Sequence, residues 1–239
     1  MNGILLIDKP SGWTSFDVVA KIRGCLRQQL IANSSQPTAP SPKVKVGHTG
    51  TLDPLATGLL ILVVGDYTKR AQEFSKLDKT YEVTMKLGET STTGDEEGEK
   101  TTISAKKPVL SDVEVTLKGF LGEIDQIPPK FSAIKVDGQR AYKLAREGKE
   151  VKLEPRKVKI YKITDVKYAY PEVKFTAEVS SGTYIRSLVE DIGQKLGTGA
   201  YMTDLKRTKV GNFSLGDILV INTISNKEIQ EIESKLLTF

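Results

Sequence analysis

The residues best suited to chemistry lie between positions 47 and 58, in the sequence GHTGTLDPLATG. Glycines flank one aspartate, Asp53, and an apolar segment typical of a buried strand follows directly. Pro54 biases Asp53 toward an extended conformation, and a loop held by a rigid strand is a common place for a catalytic group. The pattern indicates a carboxylate presented for chemistry. On these residues alone, an Asx turn in which Asp53 only accepts local backbone N–H bonds has equal weight.

His48 is the one histidine of the chain and lies in the same segment. Its flat ring is suited to stacking on a nucleobase, although a histidine hydrogen-bonded within its own loop is the more common case. With one histidine and one cysteine the chain lacks the ligands of a protein zinc site. The segment matches neither a P-loop nor a dinucleotide fingerprint. We therefore expect no metal and no cofactor.

Two residues farther along the chain are also candidates. Arg186 falls in the first turn of a predicted helix, where the helix dipole disfavours a cation. It borders the apolar face and needs an anionic partner, either a carboxylate or a substrate phosphate, unless it extends to the surface as a snorkelling side chain. Tyr81 begins the inward face of a predicted strand, and its pattern alone favours a core tyrosine.

The charge balance favours a polyanionic partner. The net charge is +5 and the pI is about 9.0, so RNA and DNA belong among the candidate substrates. The basic residues at 149–167 and 206–209 suit either a solvated face or a phosphate backbone, and the acidic run at 95–99 predicts a solvated loop. No apolar segment approaches the roughly 20 residues of a membrane span, and the N-terminus predicts a strand rather than a signal peptide. Cys25 has no internal disulfide partner, so we expect a cytoplasmic protein.

Hydrophobic periodicity predicts an α+β fold with a central, largely antiparallel mixed sheet. Ser15 is predicted to cap a helix whose apolar stripe begins with Phe16. Capping boxes at Ser111 and Ser225 predict two further helices, and the Ser- and Pro-rich residues 33–42 predict an exposed loop. The strongest element predictions are strands at 4–7, 59–64, 81–87 and 173–179, and helices at 141–147 and 185–196.

Four separate blocks of the chain resemble the TruB family of tRNA pseudouridine-55 synthases, in the family's order. They are DKPSGWTS from Asp8, residues 45–58 around Asp53, Tyr81 with its following strand, and GTYIRSL from Gly182. Residues 126–135 and 146–148 are similar to the family's RNA-gripping thumb, which places a thumb-like insertion at about 124–152. The resemblance extends over nearly the whole chain, from Gly3 to about residue 213.

The resemblance implies a pseudouridine synthase fold and assigns the site residues. It implies that Asp53 is the catalytic aspartate, that Tyr81 packs on the target base, and that Arg186 pairs with Asp53. It further implies that His48 helps to extrude the base and that Tyr184 and Leu205 line the uridine pocket. Lys9 and Pro10 are implied to support the catalytic loop.

The resemblance also implies the substrate and the domain organisation. The expected substrate is the T arm of tRNA, modified at uridine 55 by a monomer that needs no guide RNA and no protein subunit. Residues 1–239 are expected to form a single catalytic domain without the PUA-type RNA-binding module that bacterial members commonly carry. Two departures from the family pattern are the loop at 33–42 and Lys206, which stands where members usually have arginine.

Three alternatives remain at this stage. A tRNA-folding factor that binds without chemistry would not need the combination of Asp53, Tyr81 and Arg186. A guide-RNA-dependent relative is disfavoured by the thumb-like block and by the absence of the extra module. A glycosidase built on paired carboxylates lacks a second acid in a comparable frame.

Overall fold

The structure is a computed structural model that describes residues 1–32, 43–132, 134–136, 138–149, 153–217, 219–220, 232 and 236–238. These residues form two compact units, one from residues 1–79 and 206–239 and the other from residues 80–205. The predicted loop at 33–42 and the helix predicted from the Ser225 capping box lie outside the described residues. The predicted insertion at 124–152 is described except at positions 133, 137 and 150–152.

The elements alternate irregularly between strands and helices. The strands are β1 (Gly3–Lys9), β2 (Val46–His48), β3 (Thr57–Val64), β4 (Lys79–Leu87), β5 (Glu89–Ser91), β6 (Lys100–Thr102), β7 (Gly122–Gln126), β8 (Lys135–Val136), β9 (Gln139–Arg140), β10 (Arg156–Ala169), β11 (Glu172–Val179), β12 (Ala200–Val210), β13 (Phe213–Ser214) and β14 (Leu219–Val220). The helices are α1 (Ser15–Ala32), α2 (Ala71–Ser75), α3 (Leu110–Lys118), α4 (Ala141–Arg146) and α5 (Ile185–Leu196), with 3₁₀ turns at Gly65–Arg70 and Leu215–Asp217.

In the first unit, β3 is the central strand. It pairs antiparallel with β1 along its length, down to Lys9 opposite Gly58. On its other edge it pairs antiparallel with β2 and, farther along, parallel with residues 206 and 207 of β12. Residues 58–64 of β3 are all buried, so the predicted buried strand is confirmed. Between β2 and β12, this edge of β3 is bonded at Ile61 by Thr49, the first residue of the loop that joins β2 to β3.

Helix α1 flanks this sheet and buries Val19, Ile22 and Leu26 of the predicted stripe, but the stripe begins at a different residue. Its inward face is formed by Val18, Val19, Ile22, Cys25 and Leu26. Phe16, predicted to begin that stripe, is instead 65% exposed. The cause is the preceding residue, since Ser15 turns its side chain into the protein and Phe16 lies about 100° away around the helix.

In the second unit, the strand order is β12, β4, β11, β10 and β7. The alternating patterns of β4 and β11 are confirmed, since every second residue is buried in both strands. The predicted helices at 141–147 and 185–196 are confirmed as α4 and α5. The capping box at Ser111 is wrong: α3 begins at Leu110 with Val109 as its N-cap, and no side chain caps it.

The predicted fold class is confirmed. Both units combine strands with flanking helices, and the described strands form antiparallel pairs, such as β1 with β3 and β10 with β11, as well as parallel ones, such as β1 with β14 and β3 with β12. Within the described part of the chain, no helix is both long enough and apolar enough to cross a membrane.

Candidate active site

The loop at residues 49–56 joins β2 to β3 and carries Asp53, which is half-buried. Thr49 continues the strand pairing for one residue, because its N–H donates to the carbonyl oxygen of Ile61 at 3.1 Å. Beyond it the loop leaves the sheet. The N–H of Ala56 closes a turn by donating to the carbonyl oxygen of Asp53 at 3.1 Å. The backbone of the loop between Thr49 and Ala56 therefore needs partners from elsewhere.

The residue before Asp53 is held by Ser15. The Ser15 hydroxyl accepts the Leu52 N–H at 2.8 Å and lies 3.1 Å from the Leu52 carbonyl oxygen, to which it donates. Ser15 is only 2% exposed. The prediction that Ser15 caps α1 is therefore wrong. Thr14 and Asp17 form a reciprocal capping box instead, with N–H to side-chain oxygen distances of 2.8 and 3.1 Å.

The residue after Asp53 is held by Lys9 and by a backbone hydrogen bond. Lys9 has no exposed surface, and its ammonium donates to the carbonyl oxygens of Pro10, Trp13 and Pro54 at 2.9, 2.6 and 3.2 Å. The N–H of Gly12 donates to the same Pro54 oxygen at 2.8 Å. One hydrogen bond of Lys9 thus joins the end of β1 to the loop, and the other two hold the segment between β1 and α1.

Lys9 is a buried cation whose pKa responds to the charge of Asp53. Burial lowers the pKa of Lys9 to about 8, the negative charge of Asp53 opposes this shift, and the positive charge of Arg207 adds to it. The Lys9 side chain and Asp53 are therefore close enough to interact electrostatically within the first unit.

Arg207 is the third support of the loop, and the sequence patterns did not identify it. It is buried in β12, where its Nε donates to the Leu59 carbonyl oxygen at 2.7 Å and its Nη2 to the Gly50 carbonyl oxygen at 3.0 Å. Gly58 has a φ of +96°, and a Cβ there would overlap the Arg207 backbone. Arg207 is thus neither solvated nor placed for phosphate contact, the two roles proposed for its basic cluster.

The three supports act on alternate residues of the loop. Arg207 bonds Gly50, Ser15 bonds Leu52, and Lys9 bonds Pro54. Asp53 occupies one of the intervening positions, and Leu52 is buried. His48 is half-buried at the end of β2, paired with Leu62, one residue before the loop.

In the second unit, Arg186 is the second residue of α5 and is buried. Its Nη1 donates to the Thr93 carbonyl oxygen at 3.0 Å, its Nη2 to the Phe131 carbonyl oxygen at 2.8 Å, and its Nη1 lies 3.7 Å from Asp95 Oδ2. The predicted need for an anionic partner is confirmed by this carboxylate, and the surface alternative is wrong. The pairing of Arg186 with Asp53 stays a prediction.

Asp95 differs from the loop around it. The acidic run at 95–99 was predicted to be solvated, and Glu96, Glu97 and Glu99 are exposed. Asp95 is instead buried, where its Oδ1 accepts the Thr93 hydroxyl at 2.5 Å and the Glu97 N–H at 3.1 Å. A buried carboxylate beside a buried guanidinium is a pair in which each charge compensates the other.

Tyr184, predicted to line the uridine pocket, is fixed through its backbone. The side-chain amide of Gln126, buried at the end of β7, donates to the Tyr184 carbonyl oxygen at 3.0 Å and accepts the Tyr184 N–H at 2.8 Å. The Ser187 hydroxyl donates to the Ile127 carbonyl oxygen at 2.8 Å. The start of the predicted thumb is thus bonded to the start of α5.

The predicted site residues divide between the two units. Lys9, His48 and Asp53 belong to the first, and the second contains Tyr81, Tyr184, Arg186 and Leu205. Tyr81 and Leu205 are buried, on β4 and β12 respectively. Their roles toward a uridine stay predictions. Among the described residues, no group of three or more His, Cys, Asp or Glu side chains is placed to hold a metal ion.

Comparison with known proteins identifies the family. Residues 39–185 match the family profile of the TruB family pseudouridylate synthase N-terminal domain. The chain belongs to this family. Residues 186–237 match the profile of the tRNA pseudouridylate synthase B C-terminal domain. Membership of the TruB family makes the protein a pseudouridylate synthase, and it places the loop that carries Asp53 within the matched N-terminal domain.

Curated relatives in the TruB family are similar over most of their length. A tRNA pseudouridine synthase B of Opitutus terrae is 38% identical over 238 residues, which cover 99% of this chain and 92% of the relative. One of Bacteroides fragilis is 46% identical over 219 residues, covering 90% of this chain and 89% of the relative.

Solved structures show the same fold. A Cbf5 chain from a Cbf5-Nop10-Gar1 complex superposes with a TM-score of 0.68 at 29% identity, over 97% of this chain and 56% of that one. A chain of an H/ACA RNP bound to a substrate RNA containing 2′-deoxyuridine gives a TM-score of 0.66 at 26% identity, over 97% and 55%. This chain thus spans a little over half the length of these structural relatives.

Proposed function

We propose that this TruB-family chain converts uridine 55 in the T loop of tRNA to pseudouridine, with Asp53 as the catalytic group. The substrate follows from the relatives named tRNA pseudouridine synthase B. The observation that supports Asp53 is the support of the residues on both sides of it by the buried side chains Ser15 and Lys9. A catalytic carboxylate must be held in a defined position to gain from orientation.

The reaction is an isomerisation within one nucleotide. A uridine stacked in a folded loop must first be extruded, at a cost of a few kcal/mol, and stacking on Tyr81 with the help of His48 offsets part of this cost. The bond between N1 and the ribose C1′ then breaks, the base rotates, and a bond from C5 to C1′ forms. C5 loses a proton and N1 gains one, so that atoms and charge balance. No electron or phosphate is exchanged, and no cofactor or metal is needed.

Asp53 begins the reaction as a carboxylate. Attack on C1′, addition to C6 of the base and abstraction of a ribose proton all require the ionised form. Within the same unit, the buried Lys9 side chain interacts electrostatically with Asp53. Arg186 is proposed to face Asp53 as well, while Asp95 balances the charge of Arg186. Tyr184 and Leu205 are proposed to line the uridine pocket.

The test is to incubate purified protein with an unmodified tRNA transcript and map pseudouridine by carbodiimide treatment and reverse transcription. We expect a stop at uridine 55 with the wild type and none with Asp53→Asn. The Asp53→Asn protein should bind the transcript with unchanged affinity, because the isosteric amide preserves the shape of the loop. Asp66→Asn, at an exposed carboxylate of the same unit, serves as the control and should keep full activity. Turnover by Asp53→Asn would exclude the assigned role, and binding without any stop for the wild type would favour a tRNA-folding factor.

We further propose that the enzyme acts alone, as a monomer in the cytoplasm. Its relatives at 38–46% identity are named as tRNA enzymes, whereas the structural relatives from complexes with partner proteins are 26–29% identical. The transcript assay with a single purified protein tests this proposal. A requirement for added protein subunits and a guide RNA would instead place the chain with the guide-dependent relatives.

A further inference from the structure

The net positive charge of the chain is concentrated in one segment. Residues 18–52 contain five lysines and arginines and no aspartate or glutamate. The whole chain has 35 basic and 30 acidic residues, so the remainder has 30 of each and is neutral. The segment therefore accounts for the entire net charge of +5. It comprises most of α1, the residues leading to β2, and β2 itself.

Four of these five cations are grouped by the structure. The Arg23 guanidinium donates to the Val46 carbonyl oxygen at 3.1 Å, which ties α1 to β2. Arg27 follows one turn later and lies on the same side of the helix. Lys43 and Lys45 precede β2, and the carbonyl oxygen of Lys45 accepts a backbone N–H at 2.8 Å. We call Arg23, Arg27, Lys43 and Lys45 the α1–β2 basic surface.

Among the described residues, no carboxylate forms an ion pair with the cations of this surface. None of the four takes part in an ion pair with the part of the chain that the structure describes, and three of them, Arg27, Lys43 and Lys45, are exposed. Three cations on other parts of the chain do have acid partners. Lys69, Arg70 and Lys174 have carboxylate partners at 3.2, 2.9 and 3.5 Å. A surface with several cations and no acid attracts a polyanion.

The surface leads directly to the catalytic loop. β2 ends at His48, and the loop with Asp53 begins at the next residue. We propose that the α1–β2 basic surface binds the sugar-phosphate backbone of the substrate RNA, without regard to base sequence. This inference rests on the proposed function, because a nucleic acid held there is guided toward Asp53. Lysine and arginine contacts to phosphates release counterions, which makes this contribution to binding measurable through salt.

The test is a triple variant, Arg27→Gln with Lys43→Gln and Lys45→Gln, in binding to a tRNA transcript at a series of KCl concentrations. Arg23 is retained because its guanidinium holds Val46. Each phosphate contact contributes roughly 0.7–0.9 to the slope of log Kd against log salt concentration. We expect the slope to fall by about 2 and affinity near physiological salt to weaken at least about tenfold. Turnover at saturating RNA should stay within about twofold of wild type, because none of the three residues belongs to the catalytic loop.

The matched control removes the same charges at paired positions, with Lys69→Gln, Arg70→Gln and Lys174→Gln. It should leave the slope nearly unchanged. If both triple variants lose salt dependence and affinity equally, the effect comes from net charge alone. If the slope of the first variant is unchanged, RNA does not contact this surface. Either result overturns the proposal. Binding does not depend on turnover. Failure of the wild type to form pseudouridine, with the salt effect intact, would therefore count against the proposed function and not against the surface.

Discussion

Replacing Ser15 with alanine tests the idea that catalysis depends on the support of the Asp53 loop. The substitution removes one hydroxyl that is 2% exposed and that bonds both backbone groups of Leu52. A buried N–H or C=O left without a partner costs about 1–3 kcal/mol. Because domains of this size are stable by about 5–15 kcal/mol, Ser15→Ala should remain folded at 25 °C. A displacement of the reacting group by about 1 Å costs about 100-fold in rate.

We therefore expect Ser15→Ala to lower kcat by about 10- to 100-fold and to leave the Kd for tRNA within about twofold. The assay is single-turnover pseudouridine formation at saturating enzyme, together with urea unfolding of the same protein. Ser15→Thr keeps the hydroxyl and should restore most of the activity. Ser11→Ala is the control, because the exposed Ser11 hydroxyl makes only a 3.4 Å contact to the loop. A Ser15→Ala protein that loses stability but keeps kcat within about threefold would refute the reasoning.

Two further predictions concern buried charges. Asp95→Asn should lower kcat by roughly tenfold or more, which corresponds to about 1.4 kcal/mol of activation free energy, because Arg186 loses its carboxylate partner in the second unit. The affinity for tRNA should stay unchanged. A kcat equal to that of the wild type would contradict this prediction. For Lys9, the pKa of about 8 in the folded protein lies below the ordinary value of 10.5. Between these two pH values the unfolded chain therefore binds more protons than the folded one. Lys9 consequently makes the free energy of unfolding rise with pH in this range, by at most about 1.4 kcal/mol per pH unit. Urea unfolding of wild type and Lys9→Met at pH values between about 7.5 and 9.5 should show this rise in the wild type relative to the variant, and parallel pH profiles would exclude it.

Regular elements were predictable wherever burial follows a simple period. The continuous apolar run of β3, the alternation in β4 and β11 and the helical spacing of α5 all correspond to buried faces. These patterns exist because a sheet or helix must bury one face irrespective of what lies opposite. Asp53 was identifiable for a related reason, since its glycine-rich segment directly precedes a strand with a continuous apolar sequence. The role of Asp53 came from the family resemblance. The family match confirms the resemblance itself.

The supports of the site were not predictable, because each is a contact between residues distant along the chain. Ser15 has the residue type of a helix cap, and only the presence of Leu52 opposite it shows why Thr14 takes that function instead. Asp95 lies in an acidic run and differs from its neighbours only in facing Arg186. Local propensity assigns such residues to their most frequent local role, and tertiary contacts override it.

The loop around Asp53 is therefore stabilised as an edge strand would be, but by side chains in place of a neighbouring strand. A strand would bond alternate backbone groups; here Lys9, Ser15 and Arg207 bond the carbonyl groups of alternate residues, and Asp53 lies between two of them. This support comes from single side chains and not from a paired strand. It also makes the position of Asp53 depend on residues about 40 and 150 positions away in sequence. Substitutions at these supports should consequently affect turnover more than RNA affinity, whereas changes in the α1–β2 basic surface should have the opposite effect.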